Sequence, residues 1–93
     1  MSVEITNVRY GSTPKTHETI VRYKWRNPSS GAVGDHDKPS MVRFLDEEKG
    51  EAHVGSGPSQ VPVGVWHPST GSPYLRTYAD GKWTNNLLAL DEF

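Results

Sequence analysis

Apolar and polar residues alternate with period two in five stretches of this chain and recur at spacings of three and four in one, a pattern that predicts a strand-rich fold with one helix. Val3 to Tyr10 is the first strand. Val3 and Ile5 share one parity and Val8 and Tyr10 the other, which predicts a bulge near Thr6-Asn7. After the turn Gly11-Ser12-Thr13-Pro14, Thr19 to Arg26 alternates with Val21, Tyr23 and Trp25 facing inward and Arg22, Lys24 and Arg26 outward. Asn27 to Gly34 reads as a polar loop.

The helical spacing follows. Asp37 is placed to cap a helix from about Lys38 to Lys49, with Pro39 in its first turn. Met41, Val42, Phe44, Leu45 and Glu48 form one stripe, and Gly50 closes the element. Glu51 to Gly55 is a short strand ended by Gly55-Ser56-Gly57-Pro58. Val61 to Trp66 is the next, with Val61, Val63 and Val65 on one face. Pro62 removes a ladder donor and so predicts an edge position or a bulge near the start of that strand.

Tyr74 to Ala79 is the last strand, with Tyr74, Arg76 and Tyr78 on one face and Leu75, Thr77 and Ala79 on the other. Asp80-Gly81 then turns the chain toward Trp83. Leu87, Leu88 and Leu90 follow in a tail too apolar to be left frayed. The expected fold is α+β: an antiparallel sheet of about five strands with one helix packed on a face, in the order ββαβββ.

The closing stretch Tyr74-Leu75-Arg76-Thr77-Tyr78-Ala79-Asp80-Gly81, then Trp83, then Asn85-Asn86-Leu87-Leu88-Ala89-Leu90 resembles the C-terminal motif of a family of small uncharacterised proteins found in bacteria and their phages. Val3 to Arg9 and Met41 to Leu45 sit where that family has a first strand and a helix. Members typically end in Leu-Pro, whereas Leu90 is followed here by Asp91. The resemblance implies a fold and a bacterial or phage setting, and it brings no catalytic residue with it.

Composition narrows the picture further. The 93 residues suit a single domain spanning 1–93. Leu, Ile, Val and Phe number 18, close to the boundary for disorder. A net charge of −1 and three Trp with four Tyr argue for a folded chain whose core leans on aromatics. The absence of cysteine excludes disulfides and thiolate metal sites. No apolar run reaches the ~18 residues of a membrane span, and a cytoplasmic protein without membrane association is expected. Residues 1–26 carry a balance of +3 and residues 35–51 a balance of −3, so two faces of opposite sign are expected.

Catalytic chemistry finds little footing. His17, His36, His53 and His67 stand 19, 17 and 14 residues apart, without the close pair of a zinc site. Asp35-His36-Asp37 fails as a calcium loop and reads as loop acids plus a helix cap. Gly55-Ser56-Gly57 lacks the third glycine of a dinucleotide loop and the lysine of a phosphate loop. No Gly-x-Ser-x-Gly elbow occurs, and Asp80 beside Tyr78 is explained by its turn. No enzyme, metal or cofactor is expected.

The expected function is therefore binding. The main reading is a phage or mobile-element module that binds and modulates a bacterial host protein. Tyr10, Trp66, Tyr74 and Tyr78 would serve as exposed anchors beside the basic row Arg22, Lys24 and Arg26, which would steer the encounter. It would act as a monomer or weak homo-oligomer. The alternative is a nucleic-acid partner held by the same basic row with Tyr10 or Tyr78 as a stacking surface, although the net charge and a pI near 6.4 disfavour a polyanion.

Overall fold

A computed structural model describes residues 2–55, 60–79, 81–84 and 86–93, with the backbone only at Ala79. Among these residues eight strands form one sheet: β1 (Ser2–Tyr10), β2 (Ile20–Arg26), β3 (Val33–Asp37), β4 (Glu51–Val54), β5 (Val61–Trp66), β6 (Tyr74–Ala79), β7 (Lys82–Thr84) and β8 (Asp91–Glu92). The helix α1 (Lys38–Asp46) lies between β3 and β4. The sheet order is β3-β2-β1-β4-β5-β6-β7, with β8 beside the second half of β1. The α+β class is as expected, but eight strands replace about five. The sheet is mixed, since β1 runs parallel to both β4 and β8.

β1 carries the expected bulge. Ile5 pairs with Trp25 and Asn7 with Lys24, leaving Thr6 without a counterpart, so the alternation resets and Val3, Ile5 and Val8 all reach the core. A second irregularity overturns the inward placement of Val21. Arg9 pairs with Arg22 and Tyr10 with Ile20, so Val21 is the extra residue. It is 42% exposed, packed toward Gly11, and the fully buried Ile20 takes its place.

β3 occupies residues read as loop and turn. The connection before it is tied by Asn27, whose side-chain oxygen accepts from the backbone N–H of Ser29 at 2.9 Å, and by Gly31 at φ 77°. Beyond it, Val33 to Asp37 is held by ladder bonds to β2 more than by burial.

Asp37 caps α1 as expected, its carboxylate accepting from the Ser40 N–H at 2.9 Å with Pro39 in the first turn. Met41 is buried, and Val42, Phe44 and Leu45 pack beside it on the inner face of the sheet. The helix stops at Asp46, before Lys49. The positive φ falls on Lys49 at 58°, while Gly50 makes room for the Phe44 ring, which a Cβ there would approach to 2.2 Å.

β5 is interior rather than an edge, flanked by β4 and β6. Pro62 is tolerated because the β5–β6 ladder begins at Val63, one residue later. β6 and β7 form the expected hairpin, Ala79 opposite Lys82, with Gly81 at φ 77°. Asp80 of that turn, Asn85, and the break at Ser56-Gly57-Pro58 lie outside the described residues.

The tail joins the core. A 3-10 turn (Asn86–Ala89) buries Leu87 completely and packs Leu88 and Leu90 against the cluster, while the Asn86 N–H donates to the Thr77 hydroxyl at 3.1 Å. β8 then lies beside Asn7 and Val8, and the Phe93 N–H donates to the Val8 carbonyl at 3.3 Å.

Candidate binding face

Side chains of Val3, Ala52, Val63 and Leu75 point to the helix side of the sheet, so the opposite parity defines an outer face. Arg22, Lys24 and Arg26 project there from β2, as do Trp66, Arg76 and Tyr78 from β5 and β6. The two groups share a face, yet β1 and β4 lie between their strands. The structure does not gather the basic row and the aromatic residues into one patch.

The basic row is largely answered from its own neighbours. Arg22 Nε donates to Asp35 Oδ1 at 2.6 Å across the β2–β3 pair, and Arg26 Nη2 donates to Glu4 Oε1 at 3.1 Å across β1–β2. Lys24 Nζ lies 6.0 Å from the centre of the Phe93 ring, which Arg9 covers at 4.5 Å while donating through Nε to the Phe93 carbonyl at 2.8 Å. Neighbouring carboxylates and a ring thus offset the field of this row before any polyanion approaches.

The aromatic group is denser than expected, and its centre is a residue the sequence reading passed over as a binder. Trp83 on β7 sits directly opposite Tyr78 in the hairpin, its ring 5.2 Å from that of Tyr78 at 74°. On its other side Trp66 lies 5.2 Å away at 88°. Both contacts are edge-to-face, the arrangement favoured by the ring quadrupoles. The indole of Trp83 reaches over β6 to Gly64, where a Cβ would come within 3.1 Å of it. Arg76 lies over Trp66 at 5.5 Å and donates from Nε to the Thr84 carbonyl at 3.2 Å. Tyr78 remains 41% exposed.

The other two expected anchors sit elsewhere. Tyr74 is 8% exposed because the sheet coils until the 3-10 turn His17–Thr19, ahead of β2, reaches β6. There His17 stacks on the tyrosine at 5.6 Å, leaving it little surface for a partner. Burial, with the Arg76 charge adding to it, holds the His17 imidazole below its ordinary pKa. Tyr10 packs partly into the core with Lys15 5.7 Å from its ring centre, and burial followed by the Glu92 charge raises its phenol pKa.

Among the described residues, no group of three His, Asp or Glu side chains is placed to hold a metal ion, and no helix is long and apolar enough to cross a membrane. Asp35, His36 and Asp37 are engaged separately, with Arg22, Trp25 and the helix N-terminus.

Residues 4–91 match the family described as "Protein of unknown function (DUF3892)". No curated protein and no solved structure matches the chain significantly.

Proposed function

The chain therefore belongs to that family of proteins of unknown function, and from that premise we propose that it is a non-enzymatic module that binds another protein. The partner would be a bacterial host protein, in the phage or mobile-element setting that the C-terminal motif suggests. The observation that carries this reading is the packed Trp66–Trp83–Tyr78 group with Arg76 on a sheet face that α1 leaves uncovered. Tryptophan, tyrosine and arginine dominate the energetics of protein interfaces, because large rigid rings bury much area for little lost side-chain freedom. The internal pairing of Arg22 and Arg26 weighs against a nucleic-acid partner, whose affinity would depend on cations free to displace counterions.

The test is a set of single substitutions measured against a protein captured from bacterial lysate and identified by mass spectrometry, with the melting of each variant checked. Trp66→Ala, Trp83→Ala or Tyr78→Ala should weaken binding by ~2 kcal/mol or more. Replacing Arg22, Lys24 and Arg26 together should chiefly slow association. If those three positions carry the whole affinity and high salt abolishes it, the partner is a nucleic acid and this reading fails.

A further inference from the structure

On the other side of the sheet, α1 and the β2–β3 hairpin enclose a cleft of about 450 Å³, within the size range of small-molecule sites. Val3 and Met41 line it together with two aromatic rings, Trp25 from β2 and Phe44 from α1. Each ring is pressed against a glycine. A Cβ on Gly34 would come within 2.8 Å of the Trp25 indole, and one on Gly50 within 2.2 Å of the Phe44 ring. Any side chain at either position would displace the wall beside it, so these glycines set where the rings stand.

The indole N–H of Trp25 donates to His36 Nδ1 at 2.9 Å, and the two rings lie within 8° of coplanar with centroids 5.8 Å apart. Indole nitrogen is a donor only, so Nδ1 accepts and the proton of the neutral imidazole resides on Nε2. Trp25 and His36 thus form one flat plate wider than either ring, with a donor left on its imidazole side. The hydroxyl of Ser40, the guanidinium of Arg43 and the carboxylate of Glu48 complete the lining with donors and acceptors. Opposite charges are matched in number here, and Arg43 also lies 3.8 Å from Glu47, so the cleft holds no excess of either sign for an ionic ligand.

We propose that this cleft binds a neutral planar heteroaromatic molecule, a nucleobase or its nucleoside, stacked on the Trp25–His36 plate with its hydrogen-bonding edge toward Ser40, Arg43 and Glu48. A flat ring buries a full face against the plate, which a saturated ring of equal size does not. A heteroaromatic edge supplies the mixed donors and acceptors that the lining calls for. This site is independent of the outer aromatic face, and the two readings stand or fall separately.

The experiment is a titration of the intact 15N-labelled chain with adenine, adenosine, guanosine, cytidine and uridine, with AMP and cyclohexanol as controls, followed by amide and indole N–H shifts. At least one base or nucleoside should move the Trp25 indole N–H and the amides of Gly34, Ser40 and Gly50 in a saturable manner. AMP should bind no tighter than adenosine, and cyclohexanol should leave these signals in place. His36→Ala removes half of the plate from an exposed position. It should weaken binding by about tenfold with melting unchanged, and Gly34→Ala should act in the same direction by displacing the indole. A preference of adenine over adenosine, or the reverse, identifies the source of the ring. The proposal is overturned if none of the bases or nucleosides shifts these signals, if cyclohexanol shifts them equally, if His36→Ala binds as tightly as the parent, or if the shifts map to Trp66 and Trp83 instead.

Discussion

Phe44 and Gly50 show how far a single methyl group matters in a core this small. Gly50→Ala should destabilise the protein by ~1–3 kcal/mol in urea unfolding, because its Cβ would overlap the ring and Phe44 would have to leave its place. His17 offers a second measurable property. Its folded pKa lies below the ordinary value of 6.5. At mildly acid pH the unfolded chain therefore binds a proton that the folded one resists. The neutral side chain imposes no penalty above pH ~6.5, and stability is lost as pH falls through that value toward the lowered folded pKa. His17→Phe, which keeps a ring against Tyr74, should show a smaller loss of melting temperature between about pH 7 and pH 5 than the parent. The Arg22–Asp35 pair is exposed on both sides and screened by solvent. Asp35→Asn should therefore change stability by less than ~1 kcal/mol, even though the bond is short.

Among the elements, α1 and the C-terminal tail contribute large packed side chains to the core. Met41 is the buried centre of the helix, and Met41→Ala should cost ~2–5 kcal/mol in chemical denaturation. Leu45 is only partly buried, so Leu45→Ala should cost less than the Met41 variant; an equal or larger loss would mean that the helix face is rotated. Removal of residues 86–93 takes away Leu87, the apolar cover of Leu88 and Leu90, and the β8 pairing with β1. Each buried leucine is worth ~1.5–3 kcal/mol, so the truncated chain should lose its cooperative unfolding transition. A sharp melt at the parent temperature would show that the tail merely rests on the surface.

At the scale of the whole molecule, the coiled sheet separates two surfaces of different chemistry. The outer face carries the Trp66–Trp83–Tyr78 group at one end and the internally paired basic row at the other, while the inner face carries the helix and the cleft. Because Arg22 and Arg26 are already paired, a partner held by the aromatic end should keep most of its affinity when salt is raised, as a titration at several ionic strengths would show. Half of that aromatic group was legible beforehand. Trp66 and Tyr78 stand out as large rings at outward positions. The position of Trp83 was implicit in a two-residue turn at Asp80-Gly81, which sets Ala79 opposite Lys82 and therefore Tyr78 opposite Trp83. The proximity of Trp66 required the β5–β6 register, which no local pattern states.

Local chemistry by itself determined the bulge at Thr6, where the apolar parity visibly changes. It also determined the cap at Asp37, the inward stripe of α1, the period-two faces of β5 and β6, and the burial of the leucine tail. In each case the physical cause lies within a few residues of its effect. Tertiary structure alone decided the rest. Val33 to Asp37 carries one large apolar side chain, and Asp91-Glu92 none, so both became strands through ladder bonds to a partner already in place. Ile20 and Val21 are both apolar, and only the pairing of Tyr10 with Ile20 selects which one enters the core. The parallel contact of β1 with β4, the interior position of β5 despite Pro62, and the stacking of His17 on Tyr74 arise when the sheet coils and distant segments meet. They depend on long-range contacts that alternation, capping and turn chemistry do not encode.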